Sequence, residues 1–248
     1  MTTEPNISLI SLKDSCNISE EYVGELKFNK TVDLDQVIIC LYGSLIEFST
    51  AIYTIAESRT LIAIDPIFRC ILEIYVDLKN LLDDNSYLYH MQFSYHQEWL
   101  NVLQNSQSGN PYLSDLANMD NLNEEIMKIS KEKKDIKKQG GKHLNVYQRF
   151  KLAGMVDEYN SIYNFLCCES HNNIRALINR HIDIDREQND FQINIHHTKG
   201  SQEFNHYYVQ TAKFLLTLGE KVHLFFESNC AEKITEKIEA LNKTAENL

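Results

Sequence analysis

The segment DPIFRCILEIYVDLKNLL, residues 65–82, decides the fold class. At about 100° per residue, its apolar side chains cover roughly two thirds of a helix circumference. The remaining polar stripe holds Asp65, Arg69, Glu73, Asp77 and Asn80. The spacing predicts a helix that begins with Asp65 as N-cap and Pro66 as first residue. Because so apolar a helix must be packed on several sides, we expect an all-α fold.

Three further helical patterns complete the predicted architecture, which is an all-α, single-domain helical bundle. They cover residues 34–58, 155–182 and 202–227, the second of them as one long helix or two in line. The bundle domain is predicted over residues 31–229. Residues 1–30 are weakly patterned, so we expect a tail or short strands there. Residues 230–248 predict a charged C-terminal helix, and "FQINIHH" (191–197) predicts a short extended piece.

The net charge and the search for targeting segments restrict the functions expected for the chain. The formal net charge of -11 repels nucleic acid on average, so RNA binding requires a local basic patch. Lysines between residues 128 and 142 offer one, most of them on a polar helix that is predicted over about 119–138 and ends at Gly140-Gly141. Lys134, Lys137 and Lys138 are the candidate RNA-binding residues; the alternative is a solvated helix face. No signal peptide and no membrane span are expected, which favours the cytoplasm. P-loop, Rossmann and α/β-hydrolase motifs do not occur in the sequence.

A second polar set lies in the segment 170–182. His171 and Arg175 are four residues apart, which on one continuous helix places them about 40° apart. A His–Arg pair beside an apolar face is either acid/base machinery or a polar core contact. His196, His197 and His206, with Glu203, have no diagnostic metal-ligand spacing, so we assign neither metal nor cofactor.

Two stretches carry a resemblance to a known family. "FRCILEIYVDLKNLL" (68–82) and "YNSIYNFLCCESHNN" (159–173) resemble two signatures of an uncharacterised, mostly bacterial helical family. The signatures match Arg69, Glu73, Tyr163 and His171. That family is similar in layout to HEPN domains, helical bundles that often act as metal-independent ribonucleases in toxin–antitoxin and phage-defence systems. The resemblance implies an RNA or nucleotide ligand, a homodimer, and a protein partner such as an antitoxin or sensor.

The site prediction combines both polar sets. Arg175 and His181 fit the HEPN string of an Arg, four to six residues and a His, but a regular helix separates them by about 240°. We therefore predict a catalytic site in which His171 and Arg175 face Arg69 and Glu73, with Glu73 orienting His171. The alternative is a non-catalytic interaction module in which the Arg/Glu/His cluster is structural.

Overall fold

A computed structural model describes residues 6–58, 61–171, 173–185, 190–195 and 201–245. The α-helices are α1 (Ile7–Val23), α2 (Asp33–Ser58), α3 (Ile64–Asp83), α4 (Tyr87–Gln107), α5 (Ser114–Ala117), α6 (Leu122–Lys138), α7 (Val146–Leu152), α8 (Val156–Glu158), α9 (Asn164–Ser170), α10 (Ile174–His181), α11 (Asn205–Phe225) and α12 (Ala231–Ala245). Short 3-10 turns cover Leu61–Ala63, Pro111–Leu113 and Ser201–Phe204, and a π-helical turn covers Tyr159–Tyr163. Strands β1 (Ile182–Asp185) and β2 (Asp190–Ile193) form an antiparallel hairpin.

The predicted all-α architecture is confirmed, and α3 lies at its centre. α3 contacts α2, α11, α9 and α7, which explains why its apolar residues run most of the way around the helix. Phe68, Ile71 and Val76 on α3 are fully buried in the main core. The helix begins at Ile64 with Ala63 as N-cap, two residues before the predicted cap Asp65. Because α3 is surrounded by these helices, its polar stripe lies against neighbouring elements of the fold.

The expectation of a tail or short strands at residues 1–30 is wrong for residues 7–23, which form α1. α1 packs against α11 and α2. Its buried face consists of Leu12 and Cys16 with Ser8, Ser15 and Ser19, which recur at successive helical turns. Because three of these five residues are serines, the helical period does not show in the hydrophobic pattern.

The segment 155–182 is helical but neither one long helix nor two joined in line. The π-helical turn Tyr159–Tyr163 leads into α9, and α9 ends at Ser170. The backbone of His171 is extended (φ -111°, ψ 171°), and the side chain of Asn173 caps α10 by accepting a hydrogen bond from the backbone N–H of Arg175. His171 follows the end of α9 and Arg175 lies on α10, so the two residues do not share one continuous helix and their predicted 40° relation does not hold.

Two peripheral parts complete the described fold. α4 and α6 pack around a smaller core of Leu100, Leu103, Leu122 and Ile129, and α6 ends as predicted before Gly140, whose φ of +94° suits glycine. The predicted extended piece is confirmed in part, since residues 191–193 lie in β2. α12 packs on α11 and α1 rather than standing apart.

By length and composition alone, α2 could cross a membrane. In the fold it instead contacts α1, α3 and α11 and buries, among others, Ile38, Tyr42 and Leu45. Such packing is typical of the central helix of a bundle.

Candidate functional site

The polar stripe of α3 forms a connected cluster with three other elements. Arg69, Glu73 and Asp77 are spaced at i, i+4 and i+8, so their side chains follow one line along the helix. They meet Tyr87 at the start of α4, Arg149 on α7 and Tyr163 in the π-helical turn. We call these six residues the α3 polar cluster.

The first half of the cluster joins α3 to the chain that leads into α9. Arg69 and Glu73 form an ion pair of 3.2 Å. The Tyr163 hydroxyl lies between them: it donates to Glu73 Oε1 at 2.9 Å and accepts from Arg69 Nε and Nη2 at 3.3 Å. The Tyr163 residue is buried, and burial together with the Glu73 carboxylate raises the pKa of its phenol. Tyr163 is therefore a neutral hydrogen-bonding link.

The second half joins α3 to α4 and α7. Arg149 donates in bidentate fashion to Asp77, with Nε–Oδ1 at 2.9 Å and Nη2–Oδ2 at 2.7 Å, and its Nη1 lies 3.6 Å from Glu73 Oε2. The Tyr87 hydroxyl donates to Asp77 Oδ1 at 2.6 Å. Asn80 fixes the backbone of α7 by donating to the Arg149 carbonyl at 3.0 Å. Burial raises the pKa of Asp77, and the Arg149 guanidinium opposes that rise.

The outer edge of the cluster lines a shallow groove of about 460 Å³. Leu41 and Phe48 from α2 form one wall, and Arg69, Glu73 and Arg149 form part of the other. Two guanidinium groups face two carboxylates, so the charges of the cluster cancel. This arrangement suits cross-linking of helices more than capture of an anion.

His171 does not take the place that the sequence predicts. Tyr163, not His171, lies between Arg69 and Glu73, and His171 is an exposed residue at the end of α9. Arg175 lies instead at a separate cavity of about 400 Å³, whose lining includes Arg180, His206 and Tyr207. His181 is not among the residues that line this cavity, and its Nδ1 lies 2.9 Å from the Asn194 carbonyl oxygen. The catalytic roles of His171 and Arg175 stay predictions.

The candidate RNA-binding lysines lie on the exposed side of α6. Lys134, Lys137 and Lys138 are all exposed, and Lys138 pairs with Asp135 at 2.8 Å. Glu132, on the same helix, contacts His96 at 3.2 Å. The geometry is compatible with a basic patch and equally with a solvated helix face, so RNA binding stays a prediction.

The structure describes only part of the histidine-rich segment. His196 and His197 lie outside the described residues, while His206 lies on α11, where burial lowers its pKa. Within the described ranges, no three His, Cys, Asp or Glu residues are grouped closely enough to hold a metal ion.

Arg149 and Tyr87 belong to the cluster, although the sequence pattern does not predict either of them as a site residue. Arg149 lies on a seven-residue helix that is fixed by a capping box between Asn145 and Gln148. This N-x-x-Q pattern in the sequence is enough to predict where α7 begins. The contact of Arg149 with Asp77 spans 72 residues, and no local pattern encodes it.

No curated protein and no solved structure matches the chain. Residues 35–190 match a family described as Family of unknown function (DUF5677). That range covers α2 to the start of β2 and includes every residue of the α3 polar cluster. Since the match spans more than half of the chain, the protein belongs to the DUF5677 family.

Proposed function

We propose that the chain is a non-catalytic helical protein-interaction module of the cytoplasm, in which the α3 polar cluster holds the helices in register. The observation that carries this proposal is the position of the Tyr163 hydroxyl between Arg69 and Glu73, where the sequence predicts a histidine. An imidazole there would exchange protons near neutral pH. A buried phenol with a raised pKa does not.

The pairing within the cluster supports the same proposal. General acid–base catalysis uses a group whose pKa lies near the working pH. The α3 polar cluster consists of arginines, carboxylates and phenols, and burial also raises the pKa of Tyr87. Each charged group faces an opposite charge within 3.6 Å, so a substrate phosphate would have to displace an existing partner.

Purified full-length protein tests the proposal on two readouts, thermal unfolding and cleavage of total RNA. Glu73→Gln and Arg69→Met are expected to lower the unfolding midpoint, because each removes a charge-assisted hydrogen bond. RNA is expected to stay intact with wild type and with both variants. RNA cleavage by wild type that disappears in a folded Glu73→Gln variant would overturn the proposal.

A HEPN-like effector of phage defence or stress response is the second candidate. It would be a metal-independent ribonuclease or a nucleotide-binding protein, controlled by an antitoxin or sensor. One observation favours it: Arg175, Asn179 and His206 line the 400 Å³ cavity, where a guanidinium could hold a phosphate.

Expression in cells tests this candidate by growth arrest and RNA integrity. It predicts that wild type arrests growth and that His171→Ala and Arg175→Ala abolish the arrest, whereas Lys151→Ala, an exposed cation on α7, does not. Charge reversal at Lys134, Lys137 and Lys138 is expected to weaken RNA retention by this candidate. Equal growth of cells with and without wild type would refute it.

A further inference from the structure

α10 carries an apolar face that the described fold leaves in solvent. Its inner side is held by Ala176, which is buried, and by Arg180, which donates to the Glu169 carbonyl at 2.7 Å. On the other side Ile174, Leu177 and Ile178 are 74%, 36% and 40% exposed. These three residues are spaced at i, i+3 and i+4, so they share one face of the helix.

The hairpin that follows is amphipathic in the same way. In the register of β1 and β2, Ile182 pairs with Ile193 and Ile184 pairs with Phe191, so these four side chains lie on one face. The other face carries Asp183 and Gln192, which pair with each other, and Asp185 and Asp190. On the apolar face Ile184, Phe191 and Ile193 are 57%, 55% and 71% exposed, and Ile195 beyond the strand is 80% exposed.

α10 and the hairpin form one local unit. The backbone N–H of Asn194 donates to the His181 carbonyl at 2.8 Å, and the His181 ring lies against the Asn194 carbonyl. The exposed residues Ile174, Leu177, Ile178, Ile184, Phe191, Ile193 and Ile195 therefore belong to adjoining elements; we call them the apolar surface. A two-stranded hairpin is marginally stable in water by itself, so an uncovered apolar face on it indicates a missing partner.

We infer that the apolar surface is the interface of a homodimer, in which two copies pack these surfaces together about a two-fold axis. This inference deepens the proposed function by naming the partner. The area fits: at the printed exposures the seven side chains offer roughly 700 Å² per protomer, against about 800 Å² per partner in a stable complex.

Charge placement favours a second copy as the occupant. Two chains of net charge -11 repel each other wherever their acidic faces meet. The apolar surface contains no charged residue, and Asp183 and Asp190 lie on the opposite face of the hairpin, where they stay in water. An isologous contact between two identical apolar surfaces avoids like-charge contacts at its centre. A partner chosen by charge would instead require a charged patch there.

Sedimentation equilibrium and light scattering on the full chain test the inference. Wild type is expected to reach twice the chain mass as protein concentration rises. Ile195→Lys and Ile193→Lys are each expected to weaken the dimer at least about tenfold, because each buries a lysine in the apolar interface. Ile10→Lys, at a 47% exposed isoleucine on α1, is the matched control and is expected to dimerise as wild type does.

Ile195 lies outside the strands, so Ile195→Lys keeps the test valid if the strand variant fails to fold. Circular dichroism verifies folding of each variant. Wild type that stays monomeric at every concentration, or a dimer that both lysine variants leave unchanged, would overturn the inference. RNA cleavage that depends on Glu73 would overturn the proposed function instead, so the two failures are distinguishable.

Discussion

Replacement of Arg149 by methionine is the sharpest perturbation of the α3 polar cluster. The variant keeps much of the side-chain length but removes the bidentate contact with Asp77, at 2.9 and 2.7 Å. A hydrogen bond to a charged group contributes about 1.5–3 kcal/mol net. Both side chains retain about a fifth of their exposure, so solvent reduces the loss, and we expect about 2–4 kcal/mol of destabilisation in total. For a chain of this size that lowers the unfolding midpoint by roughly 5–15 °C.

The assay is thermal unfolding followed by far-ultraviolet circular dichroism, because the single tryptophan, Trp99, packs on the smaller α4–α6 core. Lys138→Met is the matched control: it breaks an ion pair with Asp135 in which both side chains are largely exposed, and it is expected to cost less than about 1 kcal/mol. Equal shifts for Arg149→Met and Lys138→Met would refute the structural role of Arg149.

Two further predictions concern the interface between α2 and α11. Gly219→Ala would place a methyl carbon 2.8 Å from the hydroxyl oxygen of the buried Tyr42, so we expect a loss of about 1–3 kcal/mol; Gly43→Ala, with no atom within 4 Å, should gain up to about 1 kcal/mol. Chemical denaturation measures the free energy of unfolding of both variants. Changes of opposite sign confirm the prediction, and equal changes contradict it. Burial lowers the pKa of His223 in the folded protein. At a pH above the ordinary histidine pKa of about 6.5 the side chain is neutral in both states, but below it the unfolded chain takes up a proton that the folded protein does not, so stability decreases as the pH falls. The unfolding midpoint of the wild type should therefore decrease as the pH is lowered from about 7.5 to about 5.5, and His223→Phe should show a smaller decrease. Identical dependence of the midpoint on pH in the two proteins would contradict a stabilising role for neutral His223.

The sequence predicts those parts of the fold in which apolar spacing is regular. The sequence pattern of α3 distinguishes its buried faces from its polar stripe, so the Arg69–Glu73 pair could be predicted from residue spacing alone. α1 could not, because Ser8, Ser15 and Ser19 form most of its core face. Buried serines fit where helices approach closely, but their polarity conceals the period.

The site was predicted in part, for a related reason. The matching signatures point to Tyr163 and His171, and a continuous helix would give either residue a place near α3. The π-helical turn at Tyr159–Tyr163 changes the phase of the helix, and the extended backbone of His171 ends it. Residues 156–173 contain no glycine or proline, so the sequence has no residue that would predict either irregularity. Contacts such as Arg149–Asp77 depend on the assembled fold.

The structural role of the α3 polar cluster depends most on Tyr163, rather than His171, completing the Arg69–Glu73 pair. The most direct measurement compares the free energies of unfolding of Tyr163→Phe and His171→Ala. Tyr163→Phe removes one hydroxyl that links three hydrogen bonds and is expected to cost about 1–3 kcal/mol. His171→Ala alters an exposed residue and is expected to cost less than about 0.5 kcal/mol. A large loss for His171→Ala with none for Tyr163→Phe would contradict the account.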